Sequence, residues 1–179
     1  MQKWVTIDEK YLYLLRQIDN RVPFSDYGKD KYKPFFGTLF EKDELVYVVA
    51  ISHATEKHRK MKNAPDFIKV YISDNKNEKG EKLAAVVNLR YMIPVPKANI
   101  EDLKYSDIDK HRTFKNDKEK STYIDLMQKE LETINQIRIE QKAEKLYSIK
   151  INYPDNEISK RCLDFIKLED EAKRNIKGK

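Results

Sequence analysis

The chain has 179 residues and carries 36 Lys and Arg against 30 Asp and Glu, for a net charge of +6 and a pI near 9.1. That length suits one domain burying about 70% of its unfolded surface, and a mean hydropathy of −0.81 with no long apolar run excludes a membrane-spanning segment. The mild basic excess admits RNA, DNA or an anionic membrane as partner without demanding one, and a densely charged surface accounts for it equally well.

The opening MQKWVTIDEK lacks an apolar signal core, so the chain is expected in the cytoplasm. Lys3 to Ile7 alternates as a short strand. Asp8 suits the N-cap of a helix on which Tyr11, Leu12, Leu15 and Ile18 recur at helical spacing, up to Val22-Pro23. The polar stretch from Ser25 to Lys33, with Tyr27, Gly28 and Tyr32, reads as a surface loop. Phe35–Glu41 and Leu45–Ser52 then form two strands around a tight Lys42-Asp43-Glu44 turn. The second of them, with the apolar, largely β-branched Val48, Val49, Ala50 and Ile51, reads as a buried strand. A basic loop leads to strands at Phe67–Ile72 and Leu83–Leu89, separated by the NKNEKGEK turn, and Tyr91–Pro94 is a further short strand or its exit.

The second half changes character. Lys97 to Lys120 reads as loops with a short helix around Ile100 and Leu103. From Ser121 onward Ile124, Met127, Leu131 and Ile134 mark one face of a long helix, continuing after a break to Ile149. Ile158, Cys162, Phe165 and Ile166 mark a last helix that dissolves into a basic tail, Lys173 to Lys179. Cys162 is the only cysteine, which rules out an internal disulfide and fits a buried structural thiol. Strands first and helices after give an α+β class, with enough antiparallel strands to curl toward a small barrel.

Chemistry concentrates in YVVAISHATEKHRKMK, residues 47–62. A packed strand delivers Ser52 and His53 to its tip, beside Thr55, Lys57, His58, Arg59, Lys60 and Lys62. Cleaving RNA without a metal requires removal of the 2′-hydroxyl proton, a proton for the departing 5′-oxygen, and stabilisation of charge on the phosphorane. An imidazole such as that of His53 suits either proton transfer, and His58 is a second candidate. The hydroxyls of Ser52 and Thr55 suit hydrogen bonds to phosphate oxygens, and Lys33 and Lys57 can neutralise developing charge. Pro65-Asp66 followed by Asp74-Asn75-Lys76 has the layout of a metal-dependent nuclease, but chance readily produces it in so charged a chain. Neither zincin spacing nor a phosphate-binding glycine loop is present, so no cofactor or metal is expected.

The chain resembles the ToxN/AbiQ-like endoribonuclease toxins of bacterial type III toxin–antitoxin systems. The likeness runs through VTIDEKYLYLLRQID, RVPF, KPFFGTLF at 33–40, YVVAISHATEKH at 47–58 and VNLRYMIPVP at 87–96. It implies a strongly bent antiparallel β-sheet or partial barrel with surrounding α-helices. It also implies metal-independent cleavage to a 2′,3′-cyclic phosphate, inhibition by a repeated RNA pseudoknot that the toxin processes, and a role in abortive infection against phage. Cellular or phage RNA would be substrate, and the assembly a cyclic or dimeric protein–RNA hetero-oligomer. The family's catalytic serine, preceded by Thr or Ser and followed by Pro and Lys, falls here at His53, with Ser52 before it and Ala54 and Thr55 after it. Lys33 matches the family's basic residue before the aromatic strand, and Lys57-His58 its basic continuation. Either the histidine takes over proton transfer, or its departure from serine weakens the enzyme. Tyr27 and Tyr32 both lie near the loop tyrosine of some relatives and suit stacking on unpaired bases. A non-catalytic RNA-binding module built on the same basic loop is the competing class, and a basic structural domain the third.

Overall fold

Asp43 and Glu44 are both left-handed, at φ 50° and 68°. With Lys42 paired to Leu45 across them, they make the two-residue turn whose twist suits a hairpin. This hairpin anchors the sheet in the computed structural model of the chain, which describes residues 2–25, 28 and 31–178. In chain order the strands are β1 (Lys3–Ile7), β2 (Phe35–Lys42), β3 (Leu45–His53), β4 (Ile68–Ser73), β5 (Glu81–Val87), β6 (Ile93–Pro96) and β7 (Ile100–Asp102). They form one seven-stranded antiparallel sheet in the order β4-β5-β3-β2-β1-β7, with β6 also on β3. β3 is long enough to serve two neighbours on one edge: Leu45–Val48 pair with β6, and Ile51–His53 with β5. The sheet does not close into a barrel.

Gly37 in β2 admits the close approach of β3, since a Cβ there would lie 2.7 Å from Val48 Cγ1. The β2–β3 register shifts between Phe36 and Phe40, just past this glycine. Seven successive residues of β3, Leu45 to Ile51, are buried, as an apolar run without alternation predicts for a central strand.

The helices are α1 (Glu9–Ile18), α2 (Glu56–Lys60), α3 (Asp117–Ile137), α4 (Ile139–Asn152), α5 (Glu157–Arg161) and α6 (Phe165–Lys177). Asp8 caps α1 by accepting the Lys10 N–H at 2.9 Å, and Asn116 caps α3 by accepting that of Glu119 at 2.9 Å. Four features depart from the sequence reading. The one helix expected to carry Ile158, Cys162, Phe165 and Ile166 is two, α5 and α6, broken at residues 162–164. The basic loop after β3 contains α2. Ile100–Asp102 is a strand on β1 rather than a helix. The basic end continues as α6 to Lys177, because Leu168, Ala172 and the buried Glu169 give it an inward face. The break between α3 and α4 falls at Arg138, held left-handed at φ 54°.

A polar cluster ties these helices to the hairpin. The Glu169 carboxylate, 3% exposed, accepts hydrogen bonds from Tyr47 Oη at 2.6 Å, Tyr147 Oη at 2.7 Å and Lys42 Nζ at 2.9 Å. Burial and the adjacent carboxylate hold the Tyr47 hydroxyl protonated. Lys173 of α6 adds an ion pair to Asp43 at 3.0 Å. Cys162 is buried, which pushes its thiol up to about 11 and fits a structural residue. Among the described residues no helix is long and apolar enough to cross a membrane.

Candidate active site

Past Ala50 β3 outruns β2, and Ile51-Ser52-His53, paired only with β5 on the other edge, line a cavity together with residues of α3. Antiparallel pairing decides what meets this tip. Phe35 pairs with Ala50, and Ile51 donates its N–H to the Pro34 carbonyl at 3.2 Å. Lys33, one residue earlier, therefore arrives level with Ser52. The Lys33 N–H is itself held by the Ser25 carbonyl at 2.8 Å, which fixes its approach.

The space between these segments and α3 is a cavity of about 350 Å³. Ser52, His53, Lys33 and Lys31 line it from the sheet side, and Tyr123, Glu130 and Arg112 from the helix side. A second, more open cavity of about 430 Å³ adjoins it, sharing His53, Arg112 and Tyr123. Ser52 is half-buried and His53 exposed at the rim. Lys33 is half-buried, and burial holds its amine below the usual lysine range. Arg112 lies with its guanidinium carbon 4.3 Å from the Tyr123 ring centroid and 5.6 Å from that of Phe114. Stacked contacts of this kind orient the guanidinium plane, leaving N–H edges for an anion. The Tyr123 phenol is pushed up to about 12 by burial and stays protonated. The cavity thus joins a hydroxyl, an imidazole and several cations, a set suited to a phosphodiester.

Arg112, Tyr123 and Glu130 were not marked by the sequence reading. Tyr123 and Glu130 follow the spacing of the apolar stripe on α3, and a carboxylate three residues after Met127 and four before Ile134 is the signal that could have found them. Arg112 lies in an unpatterned charged segment and gave no such signal.

The remaining expected residues fall elsewhere. Tyr32 lines the cavity but is only 6% exposed, with its ring stacked on His111 at 5.0 Å between centroids. Its face is therefore already occupied, and it does not present the open stacking platform expected of it. Tyr27 lies outside the described residues. His58 does not line the cavity: its Nδ1 accepts the Thr55 N–H at 3.0 Å, closing the first turn of α2. Burial, then Lys57, Lys33 and Lys69, lower its proton affinity, so that ring is neutral and engaged. Thr55, Lys57, Arg59, Lys60 and Lys62 are exposed on and around α2, forming a cationic surface beside the cavity mouth. Arg59 pairs with Glu56 at 3.5 Å across this helix.

The carboxylates of the nuclease-like pattern do not converge. Asp66 is fully buried and bound by Arg161 at 3.0 and 3.1 Å, with Arg90 Nε also at 3.1 Å. Asp74 instead accepts the Lys76 N–H at 3.0 Å within the β4–β5 turn. Among the described residues no three His, Cys, Asp or Glu side chains gather as a metal site requires.

Comparison with known proteins is consistent along the whole chain. A family model described as toxin ToxN of the type III toxin–antitoxin system matches residues 3–173. An endoribonuclease ToxN from Bacillus thuringiensis subsp. kurstaki is 27% identical over 177 residues, covering 95% of this chain and 82% of that one. A solved toxin from a study of selective toxin inhibition by a non-coding RNA pseudoknot superposes with a TM-score of 0.73 at 25% identity, covering 98% of each chain. AbiQ, a lactococcal anti-phage endoribonuclease of a type III system, shares the fold with a TM-score of 0.77 at 21% identity over 99% of each chain. The chain belongs to the ToxN toxin family of type III toxin–antitoxin systems.

Proposed function

We propose that this chain is an endoribonuclease toxin that cuts RNA without a metal, leaving a 2′,3′-cyclic phosphate and a 5′-hydroxyl, at the cavity beside the tip of β3. The observation that carries this reading is the joint presence of Ser52, His53, Lys33 and Arg112 around one cavity. In the reaction the 2′-oxygen attacks the adjacent phosphorus, and the bond to the 5′-oxygen breaks. His53, as imidazolium, gives its proton to the departing oxygen. Lys33 and Arg112 hold the non-bridging oxygens, where charge grows in the transition state. Ser52 orients the phosphate through its hydroxyl. Histidine therefore performs the proton transfer at the position where relatives carry serine.

Outside the cavity, the exposed cations of α2 and Lys62 bind RNA backbone. The partner proposed for them is a repeated pseudoknot RNA that the toxin processes and that inhibits it in a protein–RNA assembly. Support comes from the solved relatives, one studied for inhibition by an RNA pseudoknot and another for regulation of an antiviral system by a processed non-coding RNA. AbiQ's description as an anti-phage endoribonuclease supports a role in phage defence.

The test is cleavage of a single-stranded RNA by purified protein and by its His53→Ala variant. Loss of about 10²- to 10⁴-fold in rate with RNA affinity retained is expected when one proton-transfer group is removed. Equal rates in the two proteins would remove His53 from the reaction. RNA binding without cleavage by either would favour a non-catalytic RNA-binding module.

A further inference from the structure

Among the described residues Glu130 is the one carboxylate that lines the candidate active-site cavity, and no described group pairs with it as partners ordinarily pair with a buried carboxylate. It is 6% exposed, at the apolar floor formed with Leu126 and Met127. No described residue gives it a hydrogen bond or an ion pair, although Lys31, Lys33 and Arg112 line the same cavity. The other two buried carboxylates among the described residues differ in kind: Asp66 is bound by two arginines, and Glu169 accepts three hydrogen bonds. An unpaired buried acid is costly to keep, and such costs are commonly borne at working sites.

Cleavage through a cyclic phosphate needs two proton transfers, and His53 performs only one of them. The 2′-hydroxyl proton is left without an acceptor. Glu130 comes to the cavity from α3 and His53 from the tip of β3, so two separate elements bring a carboxylate and an imidazole to one cavity, as a base and an acid acting on one phosphodiester require.

We propose that Glu130 is the catalytic base of this site, taking the 2′-hydroxyl proton while His53 protonates the leaving 5′-oxygen. The O2′–H electron pair forms the new bond to phosphorus, and the pair of the breaking P–O5′ bond receives the proton of His53. The cycle ends with Glu130 protonated and His53 neutral, and exchange with water restores both. The proposal rests on the cyclic-phosphate reading. Burial pushes the Glu130 carboxyl up to about 7, which suits a base working near neutral pH. The described titratable groups that line the cavity with it are Lys31, Tyr32 and Lys33 ahead of β2, His53 of β3, Arg112 ahead of α3, and Tyr123 two turns earlier on its own helix. Lys69 of the neighbouring β4 is directed away, to the Arg59 carbonyl at 2.9 Å.

The experiment is single-turnover cleavage of a mixed-sequence single-stranded RNA across pH 5–9 by the full chain and by Glu130→Gln and Glu130→Asp variants. Binding is measured separately, on the same oligonucleotide with 2′-deoxyribose throughout. Glu130→Gln is expected to lose about 10²- to 10⁴-fold in rate, to keep deoxy-oligonucleotide affinity, and to lose the rise in rate on the acid side of the profile. Glu130→Asp should keep that rise at reduced rate. Wild-type speed in Glu130→Gln, or a slow variant that retains the acid-side rise, overturns the proposal and leaves the cyclic-phosphate reading standing. Failure of the unaltered chain to cleave, or products without cyclic phosphate, overturns the reading itself and the proposal with it.

Discussion

Ser52 and His53 adjoin at the end of β3, and substitution separates their roles. In the proposed reaction Ser52 gives a hydrogen bond to the phosphate, so Ser52→Ala should cost about 1.5–3 kcal/mol of transition-state stabilisation, the worth of a bond to a charged group. That is a smaller loss than removal of His53 and is read from single-turnover rates. His53→Ser installs the residue that the resemblance to the ToxN/AbiQ-like toxins implies at this position. It should remain as slow as His53→Ala, because a serine hydroxyl does not replace the proton that the imidazole gave; a variant faster than the parent would identify histidine as a disabling departure. Glu130 adds a stability signature independent of catalysis. A carboxyl raised from 4.5 to about 7 by burial binds its proton more tightly folded than unfolded. Its penalty is therefore absent below the unfolded value, grows as pH rises between the two, and is complete above the folded one. Glu130→Gln should stabilise the chain by up to about 3 kcal/mol above pH 7, at about 1.36 kcal/mol per tenfold change in proton affinity, and little at pH 4. Urea unfolding at the two pH values measures this.

At the scale of elements, the β2–β3 hairpin and helices α4 and α6 are one unit, joined through Glu169 and its partners Tyr47, Lys42 and Tyr147. Glu169→Ala strands the Tyr47 hydroxyl in the core and Lys42 at its margin. About 3 kcal/mol of stability should go with it, in the range for removing one member of a buried charged cluster. Cleavage per folded molecule should be unchanged, since none of these residues lines the cavity; a urea titration paired with a rate at low temperature separates the two. The elements also show what a sequence can reveal. The hairpin was readable because its turn is two charged residues between apolar runs, and α1, α3 and α4 because their stripes span several turns. Five-residue α2 and three-residue β7 are too short to display a period, and pairing to β1, not local preference, makes Ile100–Asp102 a strand. The extent of α6 was hidden because charged residues surround its buried Leu168 and Ala172. At the site, Ser52, His53 and Lys33 could be found as a strand tip and its neighbour. Arg112 could not, because it sits in an unpatterned charged segment, and Glu130 showed only as a carboxylate within the stripe of α3, with nothing to say which cavity it lines.

Over the whole molecule, the net charge of +6 matters through its placement. Lys57, Lys60 and Lys62 are exposed on and just after α2, beside the cavity and clear of the core. Replacing Lys57 and Lys60 with alanine should weaken RNA binding and flatten its dependence on salt, by about 0.7 in log–log slope for each single-strand phosphate no longer neutralised. Unchanged affinity and slope would make this surface merely solvated. Side chains alone carry the proposed chemistry, and end-group analysis tests that most directly. The purified chain should cut RNA at an undiminished rate in excess EDTA, leaving 2′,3′-cyclic phosphate and 5′-hydroxyl ends. Cleavage that stops in EDTA, returns with magnesium and leaves 5′-phosphates would contradict it.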